Sequence, residues 1–472
     1  MKNTEIRVRF APSPTGFMHI GNARTALYNY LFARNVGGRF ILRVEDTDFE
    51  RSTQQAKEVI FSSLKFLGIE WDEGPYYQSE RIHLYQEFAK ELLKRGIAYK
   101  CYCEPQELEQ RRLMMQAAGK PYKYERTCYH LTPEEKQPKE NLPFAIRFLV
   151  PPGEVTFPDL IRGNITIKGE ELEDFVLLRS DGTPTYNFAC VIDDYSMKIT
   201  QVIRGEDHIP NTPKQILIYK AYQWEHPIYA HLPMIMGPDH TKLSKRHGAT
   251  SVEAYREMGY LPEALVNALA MLGASFEPDR EVYRLDELIK LFPLNNVSKK
   301  AAVFNAEKLK WFNREHIKLM TTEGLLHRLL ELGLVSGDIN YLRRVLTLVR
   351  DRITVLNDVY NEFNYFFEEP KTYDDTGLVN WSGKEVLENL RLLKDKLSEL
   401  TDFLASLIEK AVRTLAEEKN LKAKNLIHPL RLALSGKTVS PGLFEMMELL
   451  GKTRVVTRIG AFIEKIKQIN DR

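Results

Sequence analysis

The segment that decides the fold reads Ile6-Arg7-Val8-Arg9-Phe10-Ala11-Pro12-Ser13-Pro14-Thr15-Gly16-Phe17-Met18-His19-Ile20-Gly21-Asn22. Its apolar residues Ile6, Val8 and Phe10 alternate with arginines, which predicts a strand that ends at the prolines and glycine behind it. Between residues 23 and 31 the apolar positions recur at helical spacing, and a pair of glycines then precedes a second predicted strand at 40–44. A strand, a loop, a helix and a strand in this order predict a βαβ unit.

Similar patterns continue along the chain. Further helices are predicted at 52–67, 85–93 and 212–222, and further strands at 145–149, 175–178, 199–203 and 234–236. A second α/β series begins near Tyr186, and a cysteine-rich stretch from Cys101 to His130 lies before it. The sequence therefore predicts one α/β domain that is interrupted by an insert.

Helical periodicity dominates after Val252. Amphipathic helices are predicted at 262–272, 325–332, 342–356, 385–415, 441–450 and 455–469. Candidate linkers are predicted at 321–322, 368–377 and 416–425. We therefore expect a multi-domain globular protein whose C-terminal half is largely helical.

Composition restricts the compartment and the class of partner. The chain has 472 residues, and its net charge of +2 comes from 66 basic and 64 acidic residues, so a polyanionic partner would need local basic patches. Four cysteines are too few for a disulfide scaffold. The first nine residues are polar and charged, and no stretch of about 18 uncharged apolar residues occurs. We expect a cytoplasmic protein without a membrane segment.

Two short motifs indicate phosphate chemistry. His19-Ile20-Gly21-Asn22 opens a helix directly after the loop, where backbone N–H groups, the helix dipole and the imidazole favour an anion. Lys242-Leu243-Ser244-Lys245-Arg246 offers cations for the charge that builds on phosphates during adenylate formation. Taken singly, the first motif is explained by a turn capped by Asn22, and the second by a solvated basic loop. Together they favour one ATP site.

Three further stretches accompany these motifs. They read Arg43-Val44-Glu45-Asp46-Thr47-Asp48, Pro184-Thr185-Tyr186-Asn187-Phe188-Ala189 and Arg204-Gly205-Glu206-Asp207-His208. With them the chain resembles the glutamyl-tRNA synthetases of the bacterial type, which are class I aminoacyl-tRNA synthetases. The resemblance continues through Leu443-Phe444-Glu445 and so covers nearly the whole chain.

The resemblance implies a fold and its division. The implied architecture is α/β, with a Rossmann-type class I synthetase catalytic domain interrupted by an α+β acceptor-binding insert and followed by all-α anticodon-binding domains. The implied domains are the two catalytic halves at 1–95 and 184–250, the insert with a zinc site at 96–183, a helical stem-contact domain at 251–320 and two anticodon-binding helical domains at 321–375 and 376–472.

The resemblance also implies a reaction. Glutamate and ATP, with Mg²⁺, would form glutamyl-adenylate, and the glutamyl group would pass to the 2′-hydroxyl of the terminal adenosine of tRNA(Glu). The implied catalytic residues are His19, Lys242 and Lys245. The implied ATP-binding residues are His19, Gly21, Asn22, His208, Lys242, Ser244 and Lys245. We expect a monomer.

A glutamate pocket needs a cation for the side-chain carboxylate and an acid for the α-ammonium. Arg9 offers a planar fork at one strand end, and Glu45 offers an acid at the end of the next strand. By resemblance, the remaining glutamate-binding residues are Ala11, Ser13, Tyr186 and Arg204. Taken singly, Arg9 and Glu45 are also explained by an ordinary surface ion pair. Cys190 lies in an apolar run near Tyr186, where a lone cysteine usually acts as a small buried apolar side chain.

The insert carries a candidate metal site. Cys101, Cys103, Cys128 and His130 supply three thiols and one imidazole, a ligand set that suits one closed tetrahedral Zn²⁺. The pattern is similar to the zinc-binding insert of some bacterial glutamyl-tRNA synthetases, and Tyr124 is a candidate neighbour of the ligands. A metal-free insert with reduced thiols is the alternative. The predicted role of the metal is structural.

Two other functions compete with the ligase. A glutaminyl-tRNA synthetase shares the α/β core but normally ends in β-barrels, and the helical pattern after Val252 argues against it. A catalytically silent tRNA-binding module is the second alternative. Retention of His19, Lys242 and Lys245 argues against a silent module.

Overall fold

The computed structural model describes residues 5–48, 51–120 and 122–470, with their side chains apart from those of Glu170 and Lys245. Contacts divide the chain into two compact units. The first is built from Met1–Glu257 and Pro262–Leu309, and the second from Met258–Leu261 and Lys310–Arg472. The finer division into six domains stays a prediction.

Strands are confined to the first unit in the described part of the chain. They are β1 (Arg7–Phe10), β2 (Arg39–Val44), β3 (Glu73–Tyr77), β4 (Ala98–Cys101), β5 (Ala145–Phe148), β6 (Glu154–Asp159), β7 (Gly163–Lys168), β8 (Val176–Leu178), β9 (Gln201–Gly205), β10 (Ile228–Leu232), β11 (Ile235–Met236) and β12 (Ala302–Val303).

Helices account for much of the rest. They are α1 (Ile20–Asn35), α2 (Gln54–Phe66), α3 (Ile82–Lys94), α4 (Pro105–Ala117), α5 (Pro133–Lys136), α6 (Tyr186–Ser196), α7 (Thr212–Tyr222), α8 (Val252–Glu257), α9 (Pro262–Ala270), α10 (Leu285–Leu291), α11 (Ala306–Leu319), α12 (Thr322–Glu331), α13 (Ile339–Val349), α14 (Asp358–Asn361), α15 (Asp375–Trp381), α16 (Lys384–Ser398), α17 (Ala405–Glu418), α18 (Lys424–Ser435), α19 (Leu443–Leu450) and α20 (Lys452–Asn470). Among the described residues, every helix is too short or too polar to span a bilayer.

The predicted βαβ unit is confirmed. Strands β1, β2 and β3 form a parallel sheet in which Val8 lies opposite Phe40 and Phe10 opposite Leu42. Helix α1 connects the first two strands and packs against both, and most of its side chains are buried. The turn before β2 needs glycine, because a Cβ on Gly38 would lie 2.6 Å from the carbonyl oxygen of Ile6.

A second sheet extends the first. Its order is β7-β6-β10-β9, with β9 parallel to β10 and β10 parallel to β6. Its edge strand reaches β1, since the backbone N–H of Thr200 donates to the carbonyl of Arg7 at 2.9 Å. Strands β1, β2, β9 and β10 therefore end at a common edge, and carboxyl ends of parallel strands are where α/β folds bind ligands.

The insert is joined to this sheet. Strands β6 and β7 form an antiparallel hairpin, and Asp159 at the end of β6 pairs with Tyr229 of β10. Sequence patterns alone did not predict this hairpin, although Val155 and Phe157 alternate with polar residues. The remaining strands of the insert, β4, β5 and β8, form a small antiparallel sheet.

Helix periodicity predicted most of the second unit. Helices α13, α19 and α20 overlap the predicted segments, because each has a strongly apolar face. The prediction of one helical segment at 385–415 is wrong, since α16 ends at Ser398 and α17 begins at Ala405. The apolar spacing runs across the break, and for that reason periodicity did not reveal it.

Candidate active site

A cavity of about 690 Å³ opens at the common strand edge. Its wall comes from the loop after β1, the first turn of α1, and the ends of β2 and β9. It also includes the loop after β10 and the N-terminus of α6. Eleven predicted site residues line it: Arg9, Ala11, Ser13, His19, Gly21, Asn22, Glu45, Tyr186, Arg204, His208 and Lys242.

His19 caps α1 and faces the cavity. Its Nδ1 accepts a hydrogen bond of 3.0 Å from the backbone N–H of Gly21, so Nε2 carries the proton of the neutral ring. Burial, followed by the charge of Lys242, lowers the pKa of His19 and favours that neutral form. The ring therefore presents one N–H donor to the cavity, as phosphate binding requires.

The backbone around His19 differs from a fully open anion site. The N–H of Ile20 donates to the carbonyl of Thr250 at 2.9 Å, and the N–H of Gly21 is held by His19. The cap is thus His19 and not Asn22, which was the alternative explanation of the motif. Glycine at position 21 also makes room for the imidazole, since a Cβ there would lie 3.3 Å from Nδ1.

Among the described side chains of the second motif, Lys242 and Leu243 line the cavity. Lys242 is exposed and lines the wall, and Leu243 is buried behind it with its N–H bonded to the carbonyl of Ile235 at 3.1 Å. Ser244 does not line the wall. Its backbone N–H donates to Nδ1 of His247 at 3.1 Å. The side chain of Lys245 lies outside the described atoms.

Arg9 and Glu45 do not form the surface ion pair that was the alternative explanation. Both are buried, and each has a different partner. Nε and Nη2 of Arg9 donate to Asp194 at 3.1 and 3.3 Å, and Glu45 Oε1 accepts from Arg43 Nη2 at 3.1 Å. Arg43 Nη1 also donates to Asp194 at 2.6 Å, so two cations and two anions alternate beneath the cavity floor.

Arg9, Asp194, Arg43 and Glu45 form a buried quartet of charged side chains, and two of its polar atoms have no hydrogen-bond partner among the described residues. Among the described residues, Nη1 of Arg9 and Oε2 of Glu45 have no hydrogen-bond partner, and both residues line the cavity. Burial opposes ionisation of Asp194, but Arg9 and Arg43 outweigh it and lower its pKa to about 2. Burial raises the pKa of Glu45 and the two arginines oppose that rise. One free donor and one free acceptor thus face the same space.

Cys190 lies in the quartet and not in an apolar layer. Its Sγ is 3.5 Å from Asp194 Oδ2 and within 3.8 Å of nitrogens on Arg9 and Arg43. Burial, followed by the charge of Asp194, raises its pKa to about 12, so the thiol stays protonated. Its polar surroundings could not be foreseen, because its partners on β1 and β2 are far away in sequence.

The opposite wall is a chain of three side chains. Arg204 Nη1 donates to the Tyr186 hydroxyl at 3.4 Å, and that hydroxyl is 3.0 Å from Nδ1 of His208. Burial, followed by Arg204, lowers the pKa of His208 to about 4, so the ring is neutral. Since the Tyr186 hydroxyl accepts from Arg204, it has its own proton to donate to His208 Nδ1, which fixes the tautomer. His208 Nε2 then carries the proton and is a donor.

Sequence reasoning missed the residues behind the wall. Asp194 binds both Arg9 and Arg43, and Arg43 in turn binds Glu45. His231 contacts Arg204 from behind, and Asp159 contacts His231. Arg43 stands in a quoted motif, and its place two residues before Glu45 on one strand put both on the same face. Asp194, His231 and Asp159 have no comparable local signal.

The insert brings its three cysteines together. The sulfurs of Cys101, Cys103 and Cys128 lie within 4.8 Å of one another. His130 is exposed and is not part of this cluster. The hydroxyl of Tyr124 occupies the remaining side, at 3.4 Å from Cys101 Sγ and 3.6 Å from Cys103 Sγ.

Comparison with known proteins agrees with the fold. Residues 5–311 match the family described as tRNA synthetases class I (E and Q), catalytic domain, and residues 307–463 match the anticodon binding domain family. A glutamate–tRNA ligase of Caldicellulosiruptor saccharolyticus is 47% identical over 98% of this chain and 99% of its own length. One from Moorella thermoacetica is 45% identical over 96% of this chain and 97% of its own length.

Solved structures lead to the same family. The crystal structure of a glutamate tRNA ligase from Elizabethkingia meningosepticum in complex with its amino acid superposes with a TM-score of 0.88. It is 38% identical and covers 98% of this chain and 100% of its own. The class I catalytic fold, the helical anticodon-binding region and the near full-length identity place this chain in the family of glutamate–tRNA ligases, which are class I aminoacyl-tRNA synthetases.

Proposed function

We propose that this glutamate–tRNA ligase binds its amino acid between the unused ends of Arg9 and Glu45. The observation that carries the proposal is the pair of buried, oppositely charged groups, each with one unpaired polar atom on the cavity wall. The side-chain carboxylate of glutamate accepts from Arg9 Nη1, and its α-ammonium donates to Glu45 Oε2. Because the Nε–Nη2 edge of Arg9 already holds Asp194, the substrate meets the guanidinium end-on.

The other walls complete the glutamate site. Arg204 is directed towards the cavity by Tyr186, and it supplies positive charge near the α-carboxylate. Ala11 and Ser13 contribute from the loop after β1. That loop is held in place because the N–H of Glu45 donates to the carbonyl of Pro12 at 2.9 Å.

ATP, as its Mg²⁺ complex, occupies the part of the cavity around α1. His19 Nε2 and the start of α1 at Gly21 and Asn22 face its phosphates, and Lys242 approaches from the loop opposite. His208 offers a further N–H. We include Ser244 and Lys245 as groups that join the phosphates from the same loop.

The reaction needs no protein nucleophile. An oxygen of the α-carboxylate attacks the α-phosphorus, the bond to the bridging oxygen breaks, and pyrophosphate leaves as Lys242 and His19 offset its charge. The 2′-hydroxyl of the terminal adenosine of tRNA(Glu) then attacks the glutamyl carbonyl and loses its proton. The bond between that carbonyl carbon and the phosphate oxygen breaks, and AMP leaves. Holding the reactants in line supplies a large part of the acceleration.

Pyrophosphate exchange tests the amino-acid choice. We expect glutamate, in the presence of tRNA, to support exchange at least about 100-fold better than glutamine, because an amide opposite Arg9 loses the charge-assisted bond. Lys242→Ala should lower the exchange rate about 10- to 100-fold, and Lys290→Ala on an exposed helix face should not. Exchange with glutamine alone, or none in any condition with or without tRNA, would contradict the proposal.

We further propose a structural Zn²⁺ held by Cys101, Cys103, Cys128 and Tyr124. Neighbouring donors of a tetrahedral Zn²⁺ with sulfur ligands lie about 3.8 Å apart, given Zn–S bonds near 2.3 Å. The Cys103 and Cys128 sulfurs are 3.5 Å apart, and the Tyr124 hydroxyl lies at a similar distance from two thiols. When bound, the metal would tie β4 to the segment around Cys128.

Metal analysis distinguishes the two possible fourth ligands. We expect about one zinc per chain in protein purified without chelator, and a zinc affinity lowered about 10- to 100-fold in Tyr124→Phe. His130→Ala should bind zinc like the wild type, since its ring is exposed and apart from the thiols. If His130→Ala lost zinc affinity and Tyr124→Phe did not, His130 would be the fourth ligand. If the wild-type protein contained no zinc, the zinc proposal would be wrong and the insert would hold three reduced thiols.

We also propose that the enzyme acts as a monomer in the cytoplasm. The described residues that line the active-site cavity all belong to the first unit, so one chain supplies the proposed glutamate and ATP contacts. Three neighbouring cysteines without a disulfide suit a reducing compartment.

A further inference from the structure

Arg204 is a buried cation without a carboxylate within ion-pair distance among the described residues. Its Nη2 donates to Thr212 Oγ1 and Gln215 Oε1, both at 2.9 Å, and its Nε donates to His231 Nε2 at 3.2 Å. A buried guanidinium is normally stabilised by a nearby anion. The structure places that anion one side chain further away.

His231 connects Arg204 to Asp159. Both residues are fully enclosed, and His231 Nδ1 lies 2.6 Å from Asp159 Oδ2. The backbone N–H of His231 donates to the same oxygen at 3.1 Å. Oδ1 of Asp159 accepts from the N–H groups of Ile161 and Arg162 at 2.9 and 2.8 Å, so the carboxylate has a fixed orientation.

These contacts select one tautomer of His231. Asp159 is ionised, because the bonds from His231 and from the Arg162 N–H outweigh its burial and lower its pKa. Burial lowers the pKa of His231, so the ring is neutral. A neutral ring that donates Nδ1–H to Asp159 has a lone pair on Nε2, and only that tautomer can accept from Arg204.

Asp159 belongs to the insert and not to the nucleotide-binding halves. It ends β6, and the turn from β6 to β7 makes two more contacts with the same floor. The N–H of Leu160 donates to the carbonyl of Tyr229 at 2.9 Å, and Arg162 forms an ion pair with Glu206. The hairpin thus contacts β10, the strand that contains His231, and the motif that contains Arg204.

We propose that Asp159 and His231 are positioning residues that hold the Arg204 guanidinium in its glutamate-binding orientation. This inference rests on the proposed role of Arg204 in the glutamate site. Neither residue touches the substrate, since neither lines the cavity, and both act through Arg204. The insert therefore contributes to amino-acid binding through a residue of its hairpin.

Asp159→Asn gives the sharpest test. The amide has nearly the same shape but can donate to His231 Nδ1, which moves the ring proton to Nε2 and sets two donors against each other at Arg204. We expect the KM for glutamate to rise at least about tenfold, while the KM for ATP changes less than about twofold. Steady-state exchange kinetics with each substrate varied in turn measure both values.

Asp174→Asn is the matched control. Asp174 is also a buried carboxylate of the insert, and it accepts from Arg126 and from the N–H of Val150 at 2.9 Å, away from Arg204. It should leave the KM for glutamate unchanged. Equal increases in both variants, or an equal increase in the KM values for ATP and glutamate, would reduce Asp159 to a structural role and overturn the inference.

Two further measurements separate the possible failures. Arg204→Gln must itself raise the KM for glutamate; if it does not, the proposed role of Arg204 is wrong. If Arg204→Gln has its effect and Asp159→Asn has none, only the positioning inference is wrong. Imidazole ¹⁵N NMR of the wild type, with His231 assigned by His231→Gln, should show Nδ1 protonated. A proton on Nε2 would overturn the inference even if the Asp159 variant does not fold.

Discussion

Replacing Arg9 with lysine should lower kcat/KM for glutamate about 100- to 1,000-fold, the equivalent of roughly 3–4 kcal/mol. A lysine ammonium has no planar edge, so it cannot hold Asp194 and present a second nitrogen to the substrate carboxylate. The loss should fall mainly on the kinetics for glutamate, because the proposed ATP site lies around α1 and apart from Arg9. Pyrophosphate exchange in the presence of tRNA measures it.

Arg7→Lys is the control for that experiment. Arg7 lies two residues earlier on β1 and forms a two-pronged pair with Glu73 at 2.7 and 2.8 Å, but it does not line the cavity. The same substitution on the same strand should therefore leave glutamate kinetics unchanged. If Arg9→Lys kept the wild-type kcat/KM, the carboxylate of the substrate would have to bind elsewhere.

Asp194→Asn should lower the free energy of unfolding by about 3–5 kcal/mol. The amide removes the carboxylate that Arg9 and Arg43 share, so Arg9 loses its ion-pair partner, while Arg43 keeps Glu45 at 3.1 Å and Asp193 at 3.7 Å. Urea unfolding followed by circular dichroism measures the change. Glu91→Gln, which removes an exposed pair with Arg95, should change it by less than about 1 kcal/mol.

The pH dependence of this difference has a defined sign. The folded-state pKa of Asp194 is about 2, below the ordinary value of 3.8, so its ionised form stabilises the fold. That stabilisation is complete above about pH 4 and is lost as the pH falls towards 2. The gap between wild type and Asp194→Asn should therefore narrow over this window. A gap that stayed constant would mean that charge at Asp194 is not the cause.

The sequence predicted the residues that line the cavity better than the residues that hold them in place. Arg9, His19 and Glu45 lie at ends of elements whose pattern is local, and all three line the cavity. Asp194 lies 185 residues from Arg9 in sequence, and only the closed sheet brings the two together. The surface ion pair between Arg9 and Glu45 was a plausible alternative because spacing does not reveal burial.

The insert shows the same contrast. The cysteines were predicted to converge because thiols at these spacings are metal ligands, and the three sulfurs are indeed together. The fourth donor could not be chosen by type alone. Imidazole is the commoner ligand, but the chain around residue 128 turns His130 outward and leaves Tyr124 beside the thiols.

The pairing of β9 with the N-terminal strand sets the order of events during synthesis. The backbone carbonyl of Arg7 in β1 accepts from the N–H of Thr200, which is synthesised much later. On the other side of β9, the sheet continues with β10 and then with the hairpin of β6 and β7. A ribosome adding about 5–20 residues per second needs roughly 8 to 32 seconds between completing β2 and completing β9. Throughout that time the backbone edge of β1 that faces away from β2 has no native neighbour. An unpaired strand edge of this kind is a template on which another extended chain can pair.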